Sequence, residues 1–382
     1  MNADIIVGGG GIIGLTAALA LAHTGLNVHV IDAGPAEAHS IAARVYTINA
    51  SAQKLLKTMG VWSHINAHDY CPVQQMLIWE NQAPLNFDAR TIGESQLGII
   101  ISENTLKNAL IARIAEIADI QIFHNQPIEA AHLTPDGVQI TTASQQHHSK
   151  QLCIADGGQS TLRRLLHIPY TEKSYHQDAL ICVIKTEYPH QNTAYQRFHE
   201  GNILAFLPLP DPQYCSIVWS HHQASRLRDL EESDFNHRLT QISEQRLGKI
   251  QRIGPLSQYP LISRQVRQYA DQHWFIVGDA AHTVHPLAGL GLNIGLEDIA
   301  NFLDLLHHKG YRLGSRRFIN TYQRERQFHV SRYTWMMNAL YACYQPKHLL
   351  MQPLRQWGLR SVQHSTFLKR FFIRQAQGLY CE

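Results

Sequence analysis

The chain lacks a strong excess of charge, any paired cysteine motif and any long apolar run. Its 33 Lys and Arg nearly balance 30 Asp and Glu, giving a net charge of +3, so the basic footprint of a dedicated nucleic-acid-binding protein is missing. No segment reaches the ~18 uninterrupted apolar residues that a membrane-spanning helix needs. The six cysteines form no CxxC pair, which predicts reduced, buried thiols in a cytoplasmic protein.

Metal-ligand spacings and a leader segment are also missing from the sequence. The 24 histidines are scattered along the chain, so we expect no metal site. No basic region precedes the first apolar run in MNADIIVGGGG, which favours a first strand over a signal peptide. The chain is long, with 382 residues of which 45% are hydrophobic. A chain of this size can bury a large core and can form two domains.

The N-terminal segment ADIIVGGGGIIGLTAALALAHTGLNVHVID predicts a strand, a glycine-rich turn, a helix and a second strand. Gly9, Gly11 and Gly14 stand in GxGxxG register. The first permits a tight turn, the second lets a pyrophosphate approach the backbone, and the third lets helix and strand pack closely. Asp32 follows about 18 residues after the last glycine, where a carboxylate can hold a ribose 2'-hydroxyl. The pattern favours a dinucleotide site over a plain glycine-rich turn.

A second ligand-binding turn is predicted far along the chain, in WFIVGDAAHTVHPLAGLGLNIGLEDIAN. A strand ends at Val277, a glycine-rich loop follows, and an amphipathic helix begins near Leu292. Asp279 leaves the strand end among small residues, which suits a carboxylate that reaches a ligand hydroxyl. Gly289 and Gly291 precede the helix, whose unpaired N–H groups and positive dipole end attract negative charge. The detail of this run favours a binding loop over an ordinary connection.

Between these two turns the pattern changes from mixed α/β to strand-rich. Arg44 precedes a helix over 51–59, and its charge could either reach an anionic cofactor or be solvated at the surface. Asp156 ends a strand, and Ser160 can cap the next helix. From 175 to 259, the segments ALICVIKTEY, AYQRFHEGNILAFLPLP and YCSIVWSH predict an antiparallel sheet inserted into the first domain.

The C-terminal tail mixes positive charge with large apolar side chains. The cations are Lys347, Arg355, Arg360, Lys369, Arg370 and Arg374, among Leu349, Leu350, Leu354, Trp357, Phe367, Phe371 and Phe372. One interpretation is a helix docked on the core of the protein, and the other is an interfacial helix resting on an anionic membrane. The docked helix is favoured because the segment is not cleanly two-faced.

The segments GGGGIIG, ADGGQSTLR and GDAAHTVHPLAGLGLNIGLED resemble the fingerprints of the single-component, FAD-dependent aromatic hydroxylases related to p-hydroxybenzoate hydroxylase. Within that group, RVYTINASAQKLLKTMGVW, LAFLPLPDPQYCSIVWS and the HPLAG loop resemble the ubiquinone-biosynthesis hydroxylases, with the likeness closest to the polyprenylphenol C5 hydroxylase. The likeness runs nearly end to end. Two positions depart from it: Ile154 stands where the family usually has Gly, and Leu290 where it usually has Gln.

This resemblance implies an α/β fold in which a Rossmann-like FAD-binding domain carries an inserted antiparallel-sheet substrate domain and a helical C-terminal region. The FAD-binding domain would be discontinuous, over 1–71, 98–174 and 265–340. The substrate domain would take 72–97 and 175–264, and the C-terminal helical region 341–382.

The resemblance also implies the contacts at the adenosine end of FAD. The residues that would hold the ADP half are Gly9, Gly11, Gly14 and Asp32. Arg44 would lie along the pyrophosphate, and Asp156 would lie near the pyrophosphates of both FAD and the incoming NAD(P)H. Glu103 would face the ribityl chain.

At the other end, Asp279, following Gly278, would bind a ribityl hydroxyl. Pro286 would line the face of the isoalloxazine ring and is the one residue placed at the reacting centre; no general base and no metal ligand are assigned. The residues whose backbone amides would lie near the pyrimidine edge are Gly289, Gly291, Leu292 and Asn293.

The reaction implied by the resemblance is monooxygenation of a prenylated phenol in ubiquinone biosynthesis. NAD(P)H would reduce FAD, O2 would form a flavin C4a-hydroperoxide, and its distal oxygen would attack the ring, first of all at C5. The alternatives that stay open are hydroxylation at another ring position, a flavin-dependent prenyl reductase, and a noncatalytic nucleotide-binding subunit.

The expected partners are the prenylated phenol, O2, a membrane surface and an assembly of ubiquinone-biosynthesis enzymes, but no nucleic acid. The expected location is the cytoplasm, with a peripheral position on the inner membrane as a second option.

Overall fold

The structure is a computed structural model that describes residues 2–36, 44–80, 83–284, 289, 291–343, 358 and 361–378. In this part of the chain the strands, numbered in chain order, are β1 (Asn2–Gly8), β2 (Val28–Ile31), β3 (Val45–Ile48), β4 (Tyr70–Val73), β5 (Gln75–Glu80), β6 (Ala83–Asp88), β7 (Gly98–Ser102), β8 (Ile120–Phe123), β9 (Ile128–Thr134), β10 (Gly137–Thr142), β11 (Gln146–Ile154), β12 (Tyr170–Thr186), β13 (Thr193–His199), β14 (Asn202–Pro208), β15 (Tyr214–His221), β16 (Ile250–Val266), β17 (Trp274–Ile276) and β18 (His282–Thr283). The α-helices are α1 (Ile12–Ala22), α2 (Ala50–Thr58), α3 (Glu103–Ile114), α4 (Thr161–Leu165), α5 (Ala224–Arg228), α6 (Glu232–Ile242), α7 (Gly291–His307), α8 (Arg316–Cys343) and α9 (Thr366–Ala376). Short 3-10 helices cover Val61–His64, Ala89–Ile92 and Gly278–Ala280.

The first sheet carries the glycine-rich turn, and its strand order is β8-β2-β1-β11-β10-β9, with β17 beside β11. β1 runs parallel to β2 and β11, and β11 runs parallel to β17. The last residues of these strands, Gly8, Ile31, Ile154 and Ile276, are aligned with one another. Because parallel strands end at the same edge of a sheet, the loops that follow them meet there, which is where open α/β sheets bind ligands.

Helix α1 connects β1 to β2 and packs against α3 and α7. Its sequence IIGLTAALALA is almost wholly buried, because small alanines let the sheet and the two helices approach it closely. Leu15, Leu19 and Leu21 are at most 1% exposed. The crossover predicted from the N-terminal pattern is therefore present and forms the centre of the main core.

The second sheet has the order β18-β16-β12-β15-β14-β13-β5-β6. Its neighbouring strands are antiparallel, as predicted, apart from β5 and β13, which run parallel. Helices α5 and α6 cover one face through Leu227, Phe235 and Leu239. The pairing of β16 with β18 brings this sheet to the loop that follows β17.

A third, smaller sheet has the order β3-β7-β4 and is antiparallel. Together the three sheets and the flanking helices confirm the predicted α/β class. The predicted division into domains stays a prediction, and two of its boundaries, at 174/175 and 264/265, fall inside the long strands β12 and β16.

The C-terminal part is helical, as predicted. Helix α7 packs against α1 and α2, and α8 packs against α7. Helix α9 lies on the 3-10 helix Ala89–Ile92, so this segment of the tail is docked on the body of the protein. Among the helices of the described segments, none combines the length and the hydropathy that crossing a membrane requires.

Candidate functional site

Three loops, which follow β1, β11 and β17, meet at the carboxyl edge of the first sheet. Gly9 lies so close to the second loop that an added Cβ would be 2.5 Å from the Ala155 carbonyl oxygen. Gly278, in the third loop, lies against α1, and an added Cβ would be 3.0 Å from Cγ2 of Ile13. The structure thus brings together the three segments that the sequence marked, although more than a hundred residues separate each from the next.

The glycine-rich turn forms an open cradle between two tightly packed positions. Gly9 has φ +112, a conformation that favours glycine, and a Cβ on Gly14 would overlap the Gly9 carbonyl oxygen. A Cβ on Gly11, by contrast, would meet no atom within 4 Å. Gly11 is also the N-cap of α1 and makes no side-chain cap hydrogen bond, so the first N–H groups of that helix are available to an anion. These features fit a bound diphosphate.

Asp32, immediately after β2, has one carboxylate oxygen committed and one without a partner. Oδ1 accepts a hydrogen bond from the Gly34 amide at 3.2 Å. Oδ2 is buried and has no hydrogen-bond partner among the described residues, and Nδ1 of His124 lies 3.8 Å away. A buried acceptor without a donor is costly. A ribose hydroxyl would satisfy this oxygen, which agrees with the role that the sequence assigns to Asp32.

Both carboxylate oxygens of Asp156 accept hydrogen bonds from protein groups. Oδ1 accepts from the hydroxyl of Ser160, and Oδ2 accepts from the Leu162 amide at 2.9 Å. Ser160 in turn accepts from the Arg163 amide at 2.9 Å, which confirms the predicted cap of α4. Burial raises the pKa of Asp156. The backbone of Asp156, whose Cα would be 2.8 Å from a Cβ on Gly9, is what lies beside the glycine-rich turn.

Arg163 is a site residue that the sequence did not single out. Its side chain is buried, and Nη1 donates to the Ala280 carbonyl at 2.6 Å while Nη2 donates to the Gly158 carbonyl at 2.9 Å. The guanidinium also lies 4.3 Å from the ring centroid of Tyr170. Arg163 therefore ties the loop after β11 to the loop after β17. Its position soon after the DG turn was a signal, but its bond to Ala280 spans more than a hundred residues and could not be predicted from the sequence.

Asp279 lies in the short 3-10 helix Gly278–Ala280, in the loop that follows β17. Among the residues that the structure describes, none donates a hydrogen bond to this carboxylate, and its half-buried position raises its pKa because burial disfavours the charged form. Opposite charges on His282 and Arg44 oppose that shift. A carboxylate with no hydrogen bond from the protein suits a ligand hydroxyl.

Arg44 and Glu103 form a polar wall together with Tyr46, which the sequence analysis did not mark. Nε of Arg44 lies 3.8 Å from Oε2 of Glu103, and the guanidinium is 5.4 Å from the centroid of the Tyr46 ring. The Tyr46 hydroxyl donates to Glu103 at 3.4 Å. Asp279 contributes to the electrostatic environment of both Arg44 and Tyr46, so Arg44, Glu103 and Asp279 share one neighbourhood.

Asn293 uses its side chain to fix the loop before α7. Oδ1 accepts from the Asn49 amide at 3.0 Å, and Nδ2 donates to the carbonyls of Thr47 at 2.8 Å and Gly289 at 3.1 Å. Gly289 has φ +61, and a Cβ there would lie 2.7 Å from Oγ1 of Thr47. Gly289 is therefore held on the junction of β3 and α2, and the described residues Gly289 and Gly291 to Asn293 are called the ring-end loop below.

Helix α7 begins at Gly291, so the amides of Gly291, Leu292 and Asn293 belong to its first turn and have no intrahelical acceptor. This geometry suits the predicted contact between backbone amides and a negatively charged ring edge. Pro286 and Leu290 lie outside the described residues.

A buried charge network stands behind the Gly278 turn. Asp298 is 0% exposed and accepts from the Gly278 amide at 2.7 Å, from Nε2 of His282 at 2.8 Å and from Nε of Arg326 at 2.6 Å. Burial alone would raise the pKa of Asp298, but His282 and Arg326 lower it, and the net pKa lies below its ordinary value. Because Gly278 has φ +60, this network holds a glycine-specific turn that presents Asp279.

The sequence contained a signal for this network. Asp298 lies on the buried stripe of α7 with Ile294 and Phe302, and Arg326 lies on the buried stripe of α8 with Tyr322. A charged residue on an apolar helix face needs a partner, and two such residues of opposite charge on neighbouring helices predict a pair.

Comparisons with known proteins identify the family of the chain and several relatives. Residues 2–335 match the FAD binding domain family. The chain is 28% identical to ubiquinone hydroxylase UbiL of Rhodospirillum rubrum, covering 98% of this chain and 90% of that protein. It is 28% identical to 3-demethoxyubiquinol 3-hydroxylase of Escherichia coli, with 98% of each covered. It is 27% identical to the human mitochondrial ubiquinone biosynthesis monooxygenase COQ6, covering 96% of this chain and 90% of that one.

Solved structures show the same fold. The p-nitrophenol 4-monooxygenase PnpA of Pseudomonas putida superposes with a TM-score of 0.79 at 16% identity, covering 98% of each chain. PqsL of Pseudomonas aeruginosa, described as a probable FAD-dependent monooxygenase, superposes with a TM-score of 0.78 at 18% identity, covering 94% of this chain and 100% of that one.

Proposed function

The chain belongs to the FAD binding domain family, and from that membership we propose that it is an FAD-dependent hydroxylase of ubiquinone biosynthesis. Its reaction would insert one oxygen atom from O2 into the ring of a prenylated phenol. The observation that carries the proposal is the meeting, at one sheet edge, of the open cradle at Gly11, the unpartnered Oδ2 of Asp32 and the ligand-facing Asp279. The names of the three relatives supply the substrate class.

FAD, when bound and reduced by NAD(P)H, supplies the chemistry that activates O2. The backbone around Gly9 and Gly11 and the N-terminus of α1 would hold its diphosphate. Asp32 would hold the adenosine ribose, and Asp279 a ribityl hydroxyl. Each of these contacts would give a hydrogen-bond partner to an N–H group or a carboxylate that lacks one among the described residues.

The first turn of α7 would stabilise negative charge at the pyrimidine edge of the ring system. Its free amides and the positive end of the helix dipole point toward the loop that Asn293 fixes. Because Asn293 bonds to Thr47, Asn49 and Gly289 and not to a ligand, we infer that it positions this loop while the backbone makes the contacts.

The substrate ring would lie where the second and third sheets meet. An apolar cluster joins them, with Val73, Ile100 and Ala194 buried and Val45 and Met76 partly buried. Val45 follows Arg44 in the chain, so this apolar surface adjoins the polar wall. Apolar walls of this kind keep water from a reactive oxygen donor.

Hydroxylation at C5 is the finer part of the proposal. It rests on the likeness of RVYTINASAQKLLKTMGVW and LAFLPLPDPQYCSIVWS to the C5 enzyme. One of the three relatives is named as a 3-hydroxylase, so another ring position is the first alternative.

The test is turnover by the purified protein with FAD, NAD(P)H, isotopically labelled O2 and a short-chain prenylphenol, with products identified by mass spectrometry. We expect a product heavier by one labelled oxygen atom. A product heavier by two hydrogens would support the prenyl reductase instead. A protein that binds no FAD would support the noncatalytic subunit. Expression in strains that lack each ubiquinone hydroxylase in turn then identifies the ring position by the intermediate that disappears.

A further inference from the structure

Helix α9 exposes aromatic and cationic side chains on one face. Phe367, Arg370, Phe371 and Arg374 recur at spacings of three and four residues and therefore share one side of the helix. Phe367 is 78% exposed and Phe371 is 48% exposed, and the adjacent Phe372 is 42% exposed. Large aromatic side chains grouped on a surface in this way mark an interaction site.

The side of α9 that carries Ile373 and Gln377 is held on the body of the protein, so the orientation of the exposed face is fixed. Ile373 and Gln377 are buried. The Ser51 amide donates to the Gln377 carbonyl at 3.3 Å, and Nε of Arg370, at the border between this side and the exposed face, donates to the Thr91 carbonyl at 2.9 Å. The phenylalanines are therefore exposed even though α9 is packed against the rest of the protein.

The charge of the tail indicates what this face binds. From residue 344 to the end, the cations are Lys347, Arg355, Arg360, Lys369, Arg370 and Arg374, whereas Glu382 is the one acidic residue of that stretch of sequence. Phenylalanine that enters the acyl boundary, next to arginine that binds lipid phosphates, is the pattern of helices that lie on anionic bilayers. In a symmetric contact between two copies, the same arginines would face one another, which disfavours self-association.

We propose that the face formed by Phe367, Arg370, Phe371 and Arg374 docks on the surface of an anionic phospholipid bilayer. The buried side of the helix connects this surface to the candidate site. Nδ2 of Asn49 donates to the Ala376 carbonyl at 3.2 Å, and the Asn49 amide donates to Asn293, which holds the ring-end loop. Docking through α9 would thus fix the orientation of the ring end of the site relative to the bilayer.

Flotation of the full-length, FAD-loaded protein with substrate-free vesicles tests the proposal. Vesicles of phosphatidylglycerol and phosphatidylethanolamine should carry the protein upward, phosphatidylcholine vesicles should carry far less, and added salt should weaken the binding. F367S/F371S should lower the vesicle affinity by about tenfold or more. R374Q should lower it by about fivefold.

Two exposed residues away from α9 provide matched controls. Tyr188 is 54% exposed and Arg238 is also exposed, so Y188S and R238Q should bind vesicles like the unaltered protein. FAD content and melting temperature confirm folding, and F367S alone replaces the double variant if the latter is unstable.

The proposal is overturned if the unaltered protein does not bind the anionic vesicles, or if the α9 variants bind them as well as the controls do. A change in oligomeric mass of the α9 variants, without vesicle binding by the unaltered protein, would make this face a protein contact instead. Because the vesicles contain no substrate, the outcome is independent of whether the enzyme hydroxylates a prenylphenol.

Discussion

The two ends of the candidate cofactor site are built in different ways. The diphosphate end comes from one continuous segment, in which β1, the glycine-rich turn, α1 and β2 place Gly9, Gly11, Gly14 and Asp32 within the first 36 residues. The ring end combines parts of the chain that are far apart. Asn293 bonds to Thr47, Asn49 and Gly289, and Asp298, paired with Arg326, accepts from the Gly278 amide.

The two ends differ in the atoms that determine the shape of the binding site. At the diphosphate end, backbone conformation and the missing side chains of glycine make the space, and a local pattern is enough to specify them. At the ring end, the buried side chains of Asp298 and Asn293 hold the backbone at Gly278 and Gly289. We therefore expect substitutions at the diphosphate end to affect mainly ligand binding wherever the space is open, and substitutions behind the ring end to affect folding first.

The largest effect is expected from D298A. This substitution leaves Arg326 without its carboxylate and removes the acceptor of the Gly278 amide, and breaking a buried pair of this kind costs about 3–5 kcal/mol. Denaturant unfolding of the apoprotein measures the loss. The control is D304A, since Asp304 pairs with Lys309 at 3.5 Å on the surface, where the cost should stay within about 1 kcal/mol. Equal losses in the two variants would contradict the role given to the network.

Two glycine substitutions three residues apart should separate folding from binding. G14V places its side chain against the Gly9 carbonyl oxygen, and overpacking at such a site should cost about 3 kcal/mol or more. G11A meets no atom within 4 Å, so stability should stay within about 0.5 kcal/mol. FAD affinity, measured by fluorescence quenching, should nevertheless fall in G11A because the methyl group enters the cradle. Normal FAD binding by G11A would show that the diphosphate lies elsewhere.

The same contrast explains how much could be predicted from the sequence. Glycine spacing, the Asp32 position and the α/β alternation are local signals, and they predicted the first crossover and the cap at Ser160. The α/β fold follows from such patterns because each element carries its own periodicity.

The remaining features depend on tertiary contacts. The carboxylate of Asp156 bonds within its own loop and α4, and Asn293 bonds to β3 and α2, although the family resemblance places both beside the cofactor. Arg163 bonds to Ala280 across more than a hundred residues, and the charges on α7 and α8 indicate a pair but not that Asp298 also holds the Gly278 amide. The parallel pairing of β5 with β13 joins segments more than a hundred residues apart, and no local pattern indicates its direction.

An intermediate effect is expected from N293A. The substitution leaves the Asn49 amide and the Thr47 carbonyl without partners, and an unsatisfied buried polar group costs about 1–3 kcal/mol. Because the same bonds hold Gly289, the variant should also bind FAD less tightly. N66A is the matched control, since Asn66 is exposed and bonds to Asp69 at 3.0 Å. If N293A bound FAD normally while losing stability, the clamp would be structural only.

The smallest effect on stability is expected from D279N, and its direction is opposite to that of D298A. Burial raises the pKa of Asp279 above its unfolded value of about 3.9. The contribution of such a group to stability is complete below the unfolded pKa and is lost as pH rises through the folded pKa. At neutral pH the ionised carboxylate therefore costs the apoprotein stability. D279N should be at least as stable as the unaltered apoprotein near pH 7 and should lack this decline.

Asp298 has a lowered pKa, so its contribution is present above the unfolded pKa and is lost as pH falls through the folded pKa. Urea unfolding of the D279N, D298A and unaltered apoproteins from about pH 3 to about pH 7 follows the two carboxylates in opposite directions. FAD affinity should fall in D279N, because a charged acceptor binds a hydroxyl more strongly than an amide does. If D279N destabilised the apoprotein at neutral pH, Asp279 would have a protein partner like that of Asp298, and its carboxylate would not be open to a ligand hydroxyl.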